Sequence, residues 1–349
     1  MNIQFALLTK SSGKIVGPIS DVLALIMNSI FNAASNLFEI GSLGVSIILF
    51  TIIVKALMMP LMINQQKSMK RMQSVQPEIQ KIQNKYKNKK DPESQQKMQQ
   101  ELSKFYKDNK VNPLGGCFPL LIQMPIFFAL FNVLRNIPAY ILKVGDQFRL
   151  IATEIMSVDG YSEILNSLHN SKILPKFDPS NTESVMDLLA KLTNVQWDTL
   201  VSSIPGNVAT TIEPAITNIH NMNFFFGVNL AENPGLAFPG IFIIILAGVT
   251  TYFSSKLMSS MNGKKGEQNE KAMQTQKTMN TMMPFMTAFF AYTMPAGLGI
   301  YWITSNLFQM VQQVITNKIM EIEDKKLGLN KEVVDVKAKK VISNKGGKK

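Results

Sequence analysis

Long apolar runs alternate with lysine-rich or acidic stretches along this chain. Residues 44–63 (GVSIILFTIIVKALMMPLMI) hold one charge in twenty positions, and residues 114–134 (LGGCFPLLIQMPIFFALFNVL) hold none in twenty-one. Residues 236–255 form a third run, and residues 281–316 extend for thirty-six positions without Asp, Glu, Lys or Arg. Crossing the hydrocarbon core takes roughly 20 helical residues. The last run is therefore long enough for two helices, with a tight turn at Pro295-Ala296-Gly297. The pattern predicts an all-α integral membrane protein with five transmembrane helices at 44–63, 114–136, 236–257, 281–296 and 297–316. The alternative is a set of buried helices in a soluble protein, against which stands the rarity of charge-free runs this long in such domains.

Two further stretches are amphipathic. Within 18–40, Asn28, Asn32 and Asn36 recur every four residues among apolar positions, which places a polar stripe on one helical face. This predicts an interfacial helix in an extracytoplasmic N-terminal segment, 1–43, with a sixth span as the alternative. No apolar core with a small-residue cleavage site appears in the first eighteen residues, so a cleavable signal peptide fits poorly. After the first run, Met72, Val75, Ile79, Ile82 and Tyr86 are spaced 3, 4, 3 and 4 apart, the seam of a helix that expects a partner. Asp91-Pro92 interrupts it, and Met98, Leu102 and Phe105 resume the spacing. Two helices with matched seams predict a hairpin across 64–111; the alternative is a plain spacer.

Charge then gives the orientation. The chain carries 36 Lys+Arg against 24 Asp+Glu, a net +12, although only 17% of residues are charged. The excess is unevenly placed. Residues 64–111 hold twelve Lys/Arg against five acids, and 317–349 hold ten Lys against five acids. Residues 138–222 invert the balance, with five Lys/Arg against nine acids. Basic loops stay in the cytoplasm. The hairpin, a loop at 258–280 and a basic tail at 317–349 are thus expected to be cytoplasmic, and the segment 137–235 and the N-terminus outside. The predicted location is the cell (plasma) membrane. Lysine-rich loops also attract anionic lipids or ribosomal RNA, whereas the tail can equally be a solvated positive-inside segment.

Little chemistry is legible. Two His and one Cys exclude a disulfide scaffold and leave no expected metal site or cofactor. Phosphate loops, HExxH, GxSxG and paired intramembrane carboxylates are absent, so no catalytic residue and no enzyme is expected. His169 and His220 read as ordinary surface residues. The residue that asks for an explanation is Lys55, twelfth in its run. An ammonium near the bilayer centre costs roughly 2.5–3.5 kcal/mol. Snorkelling is the alternative, but Ile63 lies about 12 Å along the axis, beyond a lysine stem. A wet pocket is the better reading. Thr51 sits one turn earlier on the same face, and Gln123, Thr304, Ser305, Asn306 and Gln309 could line the same pocket. Methionines cluster near the expected cytoplasmic ends, as suits a surface that accepts varied apolar segments, or simply lipid-facing filler.

Residues 112–132 (NPLGGCFPLLIQMPIFFALFN) resemble the second-span signature of YidC-type membrane protein insertases, the family that includes mitochondrial Oxa and chloroplast Alb proteins. Residues 295–313 (PAGLGIYWITSNLFQMVQQ) resemble its last-span motif, and the first run with QQKSMKRMQSVQPEIQKIQNKY also fits. The likeness covers roughly 40–140 and 224–317. It implies an ATP-independent insertase and chaperone with a hydrated, positively charged groove. Lys55 stands where the family has an arginine. Thr51 and Gln123 match groove positions, Tyr301 and Trp302 an aromatic pair that meets substrate, and 64–111 the required first cytoplasmic loop. Lysine keeps the charge but not the planar fork of arginine. The implied partners are nascent membrane proteins, the ribosome, the Sec translocon and the signal-recognition targeting machinery. With some forty residues ahead of the first span, and Cys117 the sole cysteine, the shorter Gram-positive or organellar type is expected, without a large β-domain or a lipid anchor. A small-solute channel or transporter and a non-catalytic assembly scaffold are the competing functions.

Overall fold

A computed structural model describes residues 16–89, 91–109, 111–112, 118–171, 174–261 and 270–326. Cys117, most of the loop around 262–269 and the tail from 327 lie outside it. The fold is mostly helical. Its elements are α1 (Val16–Leu37), α2 (Ser42–Ser74), α3 (Gln76–Lys85), α4 (Pro92–Asp108), α5 (Phe118–Arg135), α6 (Ile137–Tyr140), α7 (Leu142–Met156), α8 (Tyr161–Leu168), α9 (Thr182–Leu189), α10 (Asn194–Ser203), α11 (Gly206–Asn223), β1 (Phe224–Phe225), β2 (Val228–Asn229), α12 (Gly240–Met261), α13 (Glu270–Thr293) and α14 (Ala296–Lys326). Among the described residues, two helices are long and apolar enough to span a membrane, Ser42–Met72 and Gly240–Ser259. Helices α2, α5 and α13 run through Pro60, Pro125 and Pro284.

The chain divides into two compact units. The first comprises Met1–Lys55, Pro119–Tyr252 and Thr281–Ser305. Within it, α1 buries Leu23, Met27, Phe31 and Ala34. Its asparagine stripe is not uniformly wet: Asn28 donates to the Tyr140 carbonyl at 2.6 Å and accepts from the Leu142 amide at 2.9 Å, bracing the α6–α7 turn. Six helices, α6 to α11, form a region with an ordinary water-type core, in which α7 packs against α6, α9 and α11. Ile151, Ile155, Leu165, Leu189, Leu200 and Ile212 are fully buried there. Asn181 and Thr193 cap α9 and α10, Thr193 with Gln196 in a reciprocal capping box. The first amides of α14 are met from outside the helix: Ala296 donates to the Glu232 carbonyl at 2.7 Å and Gly297 to that of Leu230 at 3.0 Å. Gly44 on α2 leaves room for the Phe225 ring, and a Cβ there would overlap it.

The second unit comprises Ala56–Phe118, Phe253–Asn280 and Asn306–Lys349. Helices α3 and α4 pack together in it. The expected seam crosses an element boundary: Met72 belongs to α2 and Val75 precedes α3, because Pro77 favours a fresh helix start over a continuous run. Ile79 is buried, and Met72, Val75, Ile82, Tyr86, Met98, Leu102 and Phe105 are half-buried. Lys85 pairs with Glu101 at 2.9 Å, and the Tyr86 hydroxyl donates to the same carboxylate at 2.9 Å. That pairing holds the Glu101 carboxyl below the usual range and the Lys85 ammonium above it. Asp91 caps α4 by accepting from the Ser94 amide at 2.8 Å.

The apolar helices are built in the opposite sense to α6–α11. On α12, Thr250, Thr251 and Ser254 are buried beside Ile243 and Ala247, while Phe242, Ile245, Leu246, Val249 and Phe253 are exposed. On α2, Ser42, Ser46 and Thr51 are buried beside Leu43, Ile47 and Phe50, while Leu49, Ile52, Ile53 and Leu57 are exposed. Small and polar residues inside with large apolar ones outside is the pattern of helices solvated by lipid.

Candidate functional site

Lys55 and Gln123 are separated by 68 positions, yet the Lys55 Nζ donates to Gln123 Oε1 at 3.0 Å. Gln123 Nε2 in turn donates to the Tyr301 hydroxyl. Three helices, α2, α5 and α14, are thus joined by one polar chain inside the first unit. The amide uses both of its faces, accepting from the cation and donating to the phenol. Lys55 is half-buried and Tyr301 is 3% exposed. Among the described residues no carboxylate lies within ion-pair distance of Lys55, so its charge is solvated by a neutral dipole rather than cancelled.

The six expected groove residues divide. Lys55, Gln123 and Tyr301 meet directly. Trp302 flanks them through an aromatic stack, with its ring 5.6 Å from Phe127 at 22° and 6.4 Å from Phe290 at 29°. Thr51 is buried and donates to the Ile47 carbonyl of its own helix at 2.6 Å, so its hydroxyl is used within α2. Asn306 falls in the second unit. Phe127 and Phe290 escaped sequence reasoning. Phe127 had a signal, since it lies four residues after Gln123 and hence on the same face; Phe290 had none beyond its apolar run.

The second unit has its own polar group. Gln66 on α2 donates to Gln313 on α14 at 2.9 Å, and Gln313 donates to Asn317 at 3.2 Å. Lys67 pairs with Glu323 at 2.7 Å. Gln309, named with the groove candidates, contacts the Met258 sulfur at 3.7 Å instead.

A family model described as 60Kd inner membrane protein matches residues 35–325. The chain is 32% identical over 264 residues to the membrane protein insertase YidC of Clostridium perfringens, an alignment covering 73% of this chain and 97% of that protein. It is 30% identical over 288 residues to membrane protein insertase YidC 1 of Bacillus anthracis, covering 82% and 76% of the two. With membrane protein insertase YidC 2 of Listeria innocua it shares 28% identity over 327 residues, 90% and 79%. The chain therefore belongs to the 60Kd inner membrane protein family, the family of the YidC membrane protein insertases.

Proposed function

We propose that this cell-membrane protein inserts newly made membrane proteins, and helps them fold, through a polar groove centred on Lys55. The family is one of insertases rather than enzymes, and the reading requires no bond chemistry. The observation that carries it is the Lys55–Gln123–Tyr301 chain within helices that otherwise present apolar faces. An incoming segment enters from the cytoplasm, and its short polar flank is drawn to the uncancelled ammonium when that flank is acidic. Trp302, stacked on Phe127 and Phe290, offers an aromatic wall to the apolar part. The segment then moves sideways into lipid, driven by roughly 25 cal/mol per Å² of apolar area removed from water. Thr51, one turn before Lys55 on α2, completes the groove in this reading. Five spans, at the positions expected from the apolar runs, place the N-terminus outside and the C-terminus in the cytoplasm. Packing of α3 on α4 supports a cytoplasmic hairpin that, with the basic tail, receives the ribosome or targeting factor. Anionic lipid and the Sec translocon are the remaining partners.

The test is insertion of a short-tailed single-span substrate into liposomes holding only this protein. An acidic flank should insert about tenfold less well with Lys55→Ala than with wild type, and Lys55→Arg should retain most of the activity. Insertion equal to that of empty liposomes refutes the function. Solute flux through the vesicles would favour a channel.

A further inference from the structure

Helix α11 leads directly into the β1–β2 hairpin, where Phe224 pairs with Asn229 and Phe225 with Val228. The Phe225 ring fills a notch at Gly41 and Gly44, and a Cβ on either glycine would crowd it. The Gly41 amide donates to the Asn221 carbonyl at 2.9 Å, and the Leu230 amide to that of Asn223 at 3.0 Å. Gly227 lies against the Pro239 ring, with no room for a Cβ. The turn between the strands is thus held in place from several sides. Its central residues, Phe226 and Gly227, have φ of 48° and 80°. Positive φ at both positions belongs to the hairpin turn that prefers Asn-Gly. A phenylalanine there is strained, and its ring gains no core in exchange, being 81% exposed. Across the Gly227–Pro239 contact, Leu236 and Phe238 are exposed too, Phe238 by 78%. Phe238 stands edge-on to Phe242 at 5.7 Å. Phe242 begins the exposed apolar face of α12 that continues through Ile245, Leu246 and Val249.

We infer that Phe226 and Phe238 sit in lipid, at the boundary between headgroups and hydrocarbon, and fasten the α6–α11 region to the membrane surface. Lipid is the occupant because the patch continues the face of α12 that lipid already solvates. Depth agrees. The apolar stretch Gly240–Ser259 has 20 residues, about 30 Å at 1.5 Å per residue, which is the thickness of the hydrocarbon core. Gly240 then lies at one edge of that core, with Phe238 just beyond it, at the level that aromatic rings favour. Charge argues for an apolar attachment. Residues 138–222 hold five Lys/Arg against nine acids, so anionic headgroups repel this region rather than draw it down. Contact with lipid also gives the strained Phe226 the burial that the protein withholds. The inference rests on the lipid-facing side of α12 and not on the insertase reading.

The experiment uses the full chain in phosphatidylcholine nanodiscs, with Cys117, the sole cysteine, changed to Ser. A nitroxide is attached in turn at Phe226→Cys, at Phe238→Cys and, as an exposed polar reference on α10, at Ser203→Cys. Accessibility to oxygen relative to a water-soluble nickel chelate should be several-fold higher at 226 and 238 than at 203. Added phosphatidylglycerol or salt should not change it. A separate variant, Phe226→Asn, keeps the turn and removes the ring. It should melt in detergent no lower than wild type, since Asn tolerates positive φ, yet leave the label at 238 more open to nickel. Labels at 226 and 238 that favour nickel overturn the inference. Dipolar broadening between the labels of two chains overturns it by assigning the patch to a second copy, and docking that needs phosphatidylglycerol overturns it by assigning attachment to charge. A lower melting point for Phe226→Asn overturns it by giving the ring a role in the fold. Failure of the wild-type protein in liposome insertion would refute the function proposed above and leave this anchor standing.

Discussion

Helices α7 and α12 are both apolar enough to be buried, and they solve that problem in opposite ways. Helix α7 turns Phe148, Ile151, Ala152 and Ile155 inward, toward other helices of its region. Helix α12 hides Thr250, Thr251 and Ser254 and leaves Phe242, Ile245 and Leu246 outside. The first arrangement needs water to drive it, because apolar area leaves water as the core forms. The second needs a solvent as apolar as leucine, in which helices associate by close packing of small residues. One chain therefore carries two folding regimes, and composition averaged over the whole hides both.

The contrast can be broken most forcefully in the water-type core. Ile155→Ala should cost about 2–5 kcal/mol there, by lost transfer and the cavity left behind. Leu246→Ala, on the outer face of α12, should cost less than about 1 kcal/mol, since lipid fills the space. Denaturation of the protein in nanodiscs compares them directly, and equal losses would erase the distinction. Next in size is a charge reversal of roles. Ile245→Lys should raise the insertion cost of α12 by roughly 2.5–3.5 kcal/mol. Val195→Lys, at an exposed position of α10, should stay within about 0.5 kcal/mol of wild type. Glycosylation mapping of α12 and the thermal midpoint of the α6–α11 region read the two.

The smallest effect concerns Lys191, whose Nζ donates to the Arg135 carbonyl at 2.7 Å and to Asn136 Oδ1 at 2.9 Å. Burial first, and the Arg135 charge second, hold its pKa below the ordinary lysine value of 10.5, against the pull of Asp187. The unfolded chain thus keeps this proton to a higher pH than the folded protein does. Between the depressed folded value and 10.5 unfolding takes up a proton, so stability rises with pH across that window. Lys191→Met should flatten the rise in a pH series of thermal melts.

The apolar runs and the oddity of Lys55 were legible because each is a local signal: a charge-free length, and a cation within one. That Gln123 stands between Lys55 and Tyr301 was not. Which of several polar side chains meet depends on helix rotation, and residues 68 and 178 positions apart carry no periodicity that fixes it. Thr51 shows the same limit from the other side, since a threonine on the correct face can satisfy itself on its own backbone. Residues 138–222 were legible only as an acidic stretch. Their helices are short, eight to eighteen residues for α7 to α11, and their core is assembled from contacts between them. Asp91-Pro92 read as a break, and it also marks a start: Asp at the cap and Pro in the first turn are the chemistry of a helix beginning.

The buried hydroxyls of α2 have one more consequence. Ser46 and Thr51 each donate to a carbonyl one turn back on the same helix, both at 2.6 Å. Sliding that stretch away from its neighbours sacrifices dispersion contacts but strands no donor in oil. Gln66 differs, because its amide reaches across to Gln313 and would be orphaned by the same movement. The helix is therefore unlatched along the stretch that ends at Thr51 and buttoned beyond it, by Lys55 on Gln123 and by Gln66 on Gln313, so sideways breathing is cheap where the hydroxyls lie and resisted past them.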